Sequence, residues 1–173
     1  MKGYTIWFTG LSGSGKTTVA EGVIKKLRKR NVSVVFIDGD IARRTLSPDL
    51  KYNKLDRDEQ VRRLANVCYL ISENCVLNIC CTNSATKKER DYARKISKNF
   101  ILAYTKCPLS VCEERDVKGY YRLVRAGKLK NFVGIDIEYE EPKNPEVTLE
   151  TDKETVEESV DKLIKYLDDK KII

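Results

Sequence analysis

The chain has 173 residues, a net charge of +7, 41% hydrophobic and 34% charged residues, and no histidine. The length fits one domain with a proper core. The missing histidine excludes Ser-His-Asp and Cys-His nucleophilic sites, His-ligated zinc and haem, and phosphohistidine relays; a general base must be Asp, Glu, Lys, Tyr or Cys, or a water held by one of them.

Tyr4 to Thr9 reads as a buried strand. Its apolar core, Ile6-Trp7-Phe8, is too short for a signal peptide, and no apolar run is long enough to span a bilayer. Next comes Gly10-Leu11-Ser12-Gly13-Ser14-Gly15-Lys16-Thr17, a full match to G-x-x-x-x-G-K-[ST] between a strand and a helix. The glycines, with Ser12 and Ser14, let backbone N–H groups turn inward around phosphate oxygens, and the helix start adds its positive dipole end. Lys16 would reach the β and γ phosphates of a nucleoside triphosphate, and the Thr17 hydroxyl would ligate Mg²⁺.

The helix predicted from Lys16 to Arg30 has an apolar face of Val19, Ala20, Val23, Ile24 and Leu27. Its basic end suits the helix dipole better than a nucleic-acid patch. Ser33 to Ile37 is a second strand, ending at Asp38-Gly39-Asp40. Ligands of parallel sheets bind outside the carboxyl ends of strands, so Asp38 is a candidate for the metal shell and Asp40 for an acceptor hydroxyl. As a bare tripeptide the motif is equally a turn.

Helices are expected over Asp56–Asn74, Lys87–Lys98, Ser110–Asp116 and Thr155–Leu167, and strands over Val76–Cys81, Phe100–Thr105 and Val147–Leu149. This alternation predicts an α/β fold, a mostly parallel sheet covered on both faces by helices, in one domain covering 1–173. Cys68, Cys75, Cys80, Cys81, Cys107 and Cys112 form no Cys-x-x-Cys pair and are expected to be buried, reduced thiols, which implies a cytoplasmic setting. Residues 115 to 130 carry Arg115, Lys118, Arg122, Arg125, Lys128 and Lys130 against Asp116 alone, punctuated by Gly119 and Gly127. A basic lid over about 116–134, closing on phosphates, has this composition, and so does a solvated surface loop. Residues 136–161 hold a net −9, leaving +16 elsewhere, a body suited to a polyanion, nucleotide or nucleic acid.

The motifs together resemble the adenylylsulfate (APS) kinases, a P-loop NTPase family of three-layer α/β/α architecture. The residues that carry the resemblance are Gly10 to Thr18, Asp38-Gly39-Asp40 with Arg43, Asp56-Arg57 with Arg62-Arg63, the stretch Cys112 to Tyr121, Arg125-Ala-Gly, Phe132-Val-Gly-Ile-Asp and Tyr139-Glu-Glu-Pro. The resemblance implies transfer of the γ-phosphoryl of MgATP to the 3′-hydroxyl of a small nucleotide acceptor, in a homodimer. Asp40 then resembles the carboxylate meeting that hydroxyl. Arg43 and Arg57 resemble the arginines gripping the acceptor's anionic groups, and Tyr52 and Phe132 the aromatics sandwiching its base. Arg115 and Lys118 resemble lid groups near the donor and the transferring phosphoryl, Thr18 extends the donor loop, and Ser84 falls on a serine phosphorylated in some members.

Departures concentrate on the acceptor side: Tyr52 in place of phenylalanine, Gln60 in place of asparagine, and Asn83-Ser84-Ala85-Thr86-Lys87 in place of Ile-Ser-Pro-Tyr-Arg. These change the hydrogen bonds offered to a base. A relative of the family, the cytidine diphosphoramidate kinase of capsule modification, phosphorylates a pyrimidine nucleotide, so APS and a cytidine diphosphate derivative both stand as acceptors. A P-loop NTPase or polynucleotide kinase acting on nucleic acid is the alternative of a different class, weakened by the absence of an RNA-stacking motif.

Overall fold

A computed structural model describes residues 2–173. Five strands form one parallel sheet: β1 (Thr5–Thr9), β2 (Val34–Asp38), β3 (Leu77–Cys81), β4 (Phe100–Lys106) and β5 (Val147–Glu150), in the order β2-β3-β1-β4-β5. The central strands are near-continuous apolar runs because both sheet faces are covered. Their side chains alternate between two cores. Ile6, Phe8, Ile79 and Ile101 point toward α1 (Lys16–Lys29) and α7 (Val156–Asp169), whereas Trp7, Cys80 and Leu102 meet α3 (Lys54–Glu73) and α4 (Lys87–Ile96).

Two short helices depart from the expected elements. Asp38 ends β2 and is also the N-cap of α2 (Gly39–Thr45), its carboxylate accepting from the Asp40 and Ile41 amides. The expected turn is thus a strand-to-helix junction, and Gly39 is needed there: a Cβ would lie 2.8 Å from the Cys81 carbonyl oxygen. After α5 (Leu109–Arg115), the basic segment folds into α6 (Tyr120–Arg125), which buries Tyr121 and Val124 with Cys107, Cys112 and Phe132 in a third, smaller core. The segment is therefore built on an apolar footing and is not an open loop.

Five cysteines are buried as expected. Cys75 is exposed, because it sits in the left-handed turn (φ 61°) joining α3 to β3. The basic end of α1 meets α7: Lys26 pairs with Asp161, and Arg30 with Asp168 at 2.7 Å.

Glu146 ties the far edge of the sheet together. Both its oxygens accept from Arg94 of α4 at 2.7 Å, and one also accepts from the Leu102 amide of β4 at 2.7 Å. Burial works against the Glu146 charge, but the Arg94 guanidinium and the Leu102 amide outweigh it and hold the pKa below the usual glutamate value. A carboxylate with a lowered folded pKa stabilises the fold above its unfolded pKa, and that stability is lost as pH falls through the folded value. Glu146→Gln is expected to cost about 1–2 kcal/mol at pH 7. In urea melts across pH, the gap should close below about pH 4; a gap constant down to pH 3 would contradict this account.

Candidate active site

The carboxyl ends of β1, β2 and β3 open into one cavity of about 830 Å³. Its floor is the phosphate loop. Gly13 (φ 76°) and Gly15 (φ 87°) take left-handed conformations, and Gly15 is the N-cap of α1. Ser12, Gly13, Gly15, Lys16, Thr17 and Thr18 line the cavity. Gly10 and Ser14 lie behind the wall: Ser14 is fully buried, and its hydroxyl bonds Thr105 Oγ1 at 2.8 Å. They shape the loop from behind, and the Ser14 side chain offers a ligand nothing.

Lys16 Nζ folds back onto its own loop, donating to the Gly10 and Leu11 carbonyls at 2.8 and 2.6 Å. Burial, reinforced by the neighbouring Lys118 charge, pulls its pKa down to about 8. The cation is thus under-compensated, as a group awaiting phosphate would be.

Thr17 Oγ1 donates to Asp38 Oδ2 at 3.2 Å, while Asp38 Oδ1 is committed to capping α2. A hydroxyl and a carboxylate oxygen side by side at the phosphate loop form a hard, all-oxygen set. That set fits Mg²⁺, which takes few protein ligands and completes its shell with water and phosphate. Asp40 lies two residues further on and forms an ion pair with Lys118, the residue that follows Val117 after α5.

At the donor end, Arg115 Nη2 donates to the Thr151 carbonyl at 2.6 Å, and Thr151 Oγ1 donates to the Ser14 carbonyl at 2.8 Å. At the other end, Tyr52 and Phe132 both line the cavity. The Arg43 and Arg57 guanidinia lie over the Tyr52 ring, 4.6 and 5.6 Å from its centroid. Phe132 is held edge-on by Tyr121, with centroids 5.0 Å apart. Arg57 is also fastened to Tyr52 O (2.9 Å) and Asn131 O, so α3 and the lid segment are joined through it. Burial and the like charge of Arg43 lower its pKa.

Gln60 and Asn83 line the same end. Gln60 is 3% exposed and its Oε1 has no partner among the described residues, an orphaned acceptor facing the acceptor end. Ser84 does not join them. Its hydroxyl accepts from Trp7 Nε1 at 3.0 Å and donates to Thr9 Oγ1 at 2.9 Å, and the residue is 2% exposed. The chain there takes φ 36°, which turns Ser84 into the core and leaves Asn83 at the cavity. This segment is pinned from outside: Arg90 donates to the Ser84 carbonyl at 2.7 Å, and the Glu140 amide to the Ala85 carbonyl at 2.8 Å.

Sequence reasoning missed other lining residues, among them Arg44, Tyr120, Thr151, Glu154 and Val156. Position four after Asp40 on a short helix was a usable signal for Arg44. Thr151, Glu154 and Val156 sit in the acidic segment, whose composition hides any site.

Comparison with known proteins shows the family and the fold. The adenylylsulphate kinase family profile matches residues 2–150. The chain is 50% identical over 169 residues to the adenylyl-sulfate kinase of Halothermothrix orenii, covering 98% of this chain and 91% of that protein. It is 44% identical over 173 residues to that of Clostridium acetobutylicum, covering 99% and 86%. Among solved structures, the Mycobacterium tuberculosis APS kinase CysC in complex with AMPPNP and APS superposes with a TM-score of 0.92 at 38% identity, covering 96% of this chain and 98% of that one.

Proposed function

The chain belongs to the adenylylsulphate kinase family, and on that premise we propose that it transfers the γ-phosphoryl of ATP to the 3′-hydroxyl of adenylylsulfate, giving the 3′-phosphorylated product. The observation that carries the proposal is the junction at Asp38–Asp40, which sets a metal-fitting pair and the Lys118-paired carboxylate of Asp40 side by side at the phosphate loop. The relatives' names supply the acceptor.

The loop amides and Lys16 hold the donor phosphates, Lys16 leaving the Gly10 and Leu11 carbonyls to do so. Thr17 and Asp38 would hold Mg²⁺, which supplies charge neutralisation on the phosphates. Arg115 covers the donor end. Arg43 and Arg57 grip the acceptor's acidic group, while Tyr52 and Phe132 face its base. Asp40 turns from Lys118 to the acceptor hydroxyl, aligns it, and takes its proton as the bond to phosphorus forms. Lys118, released, neutralises the transferring group. The transition state is loose, so alignment and charge outweigh basicity and an ordinary aspartate suffices. The working state is a homodimer, which sedimentation checks.

The test is ADP release from MgATP with APS, with a cytidine diphosphate derivative, and with an oligonucleotide. Strong stimulation by APS is expected. Stimulation by either of the others, with none by APS, would remove the reading.

A further inference from the structure

Arg44 stands on the last turn of α2 and lines the acceptor end of the cavity. Its surroundings set it apart from the other cations there. Arg43 already donates to the Lys51 carbonyl at 2.6 Å and stacks on Tyr52, and Arg57 is fastened to Tyr52 and Asn131. Their guanidinia are partly spent on holding the pocket in shape. Arg44 makes no hydrogen bond or ion pair with the described residues, although it is a long, exposed side chain beside a helix of its own.

The natural intrahelical partner of Arg44 is Asp40, four residues earlier on the same face. That carboxylate is taken by Lys118. Asp49 pairs with Arg63 at 2.7 Å and Asp56 accepts from the Lys51 amide at 2.8 Å, and neither bonds Arg44. A planar five-donor fork therefore faces a ligand cavity with its donors free, one turn from the carboxylate that meets the acceptor hydroxyl.

We propose that Arg44 is a further specificity-determining residue for the acceptor, donating to the acidic group that the nucleotide carries on its 5′ side. The inference rests on the proposed acceptor reaction and adds to it the free cation that reads the acceptor's charge. Arg43 and Arg57 grip that group from the pocket wall, and Arg44 is the arm that is not yet committed. A charge-assisted hydrogen bond of this kind strengthens binding in the ground state and the transition state alike, so it acts on KM and leaves kcat.

The experiment is steady-state kinetics on wild type, Arg44→Ala and Arg44→Lys, varying APS and ATP separately at low and high salt. Arg44→Ala is expected to raise KM for APS about tenfold at low salt, with kcat and KM for ATP within about twofold. Arg44→Lys should recover part of the loss, because it keeps the charge but not the fork. The difference between wild type and Arg44→Ala should shrink at high salt. Wild-type turnover of APS with an unchanged KM in Arg44→Ala overturns the inference alone, and so does an equal rise in KM for ATP. Wild type that shows no turnover with APS overturns the proposed function and takes this inference with it.

Discussion

Lys16→Met lowers kcat by about 10³-fold or more, the cost of removing a preorganised charge from a phosphoryl-transfer site. No neighbour takes its place at the phosphate loop. Lys118 acts from the Asp40 side, and Arg115 is bonded to Thr151. Lys16→Arg should not rescue, because a planar fork cannot occupy the place of a compact ammonium between two loop carbonyls. Folding is separable from chemistry here by pH. With Lys16 held at about 8 against an ordinary 10.5, the unfolded chain binds more protons between those values, and wild-type stability rises with pH across that window. The Lys16→Met protein should lack that rise. Single-turnover kinetics and denaturant melts between pH 7 and 10.5 check both halves; activity within tenfold of wild type would sink the assigned role.

Asp40→Asn lowers turnover by about 10²–10⁴-fold with little change in ATP binding. The amide can still align a hydroxyl but cannot take its proton, and it no longer pairs with Lys118. Rapid-quench measurement of the chemical step, with ATP affinity measured in parallel, tests this. Unchanged turnover in a normally folded variant would rule out Asp40 as proton acceptor.

The donor half of the site was readable from sequence because its chemistry is contiguous: Gly10 to Thr18 is one uninterrupted stretch whose spacing dictates its geometry. The parallel sheet was readable because buried strands such as Ile6-Trp7-Phe8 differ sharply from amphipathic helices such as α1. What stayed hidden depends on direction more than on identity. Asp38-Gly39-Asp40 is compatible with a turn, and it takes the Asp38 cap and the close packing of Gly39 against Cys81 to make it a helix start. The six residues of α6, Tyr120–Arg125, carry too short a period to announce a helix, though Tyr121 and Val124 anchor it. Adjacent Asn83 and Ser84 were alike as polar candidates, and the backbone turn at Ser84 sends one to the cavity and the other into the core. The Tyr52–Phe132 sandwich was a matter of two distant residues; both do line one cavity end, with arginines lying over the tyrosine.

The exposed turn at Cys75 has a practical use. Five thiols are buried, and Cys75 sits at the amino end of β3, whereas the cavity opens at the carboxyl ends of the strands. A maleimide dye should therefore label this protein at one position without cysteine engineering. The dye would stand about a strand length from the reacting groups, a ready anchor for surface immobilisation that leaves the cavity clear.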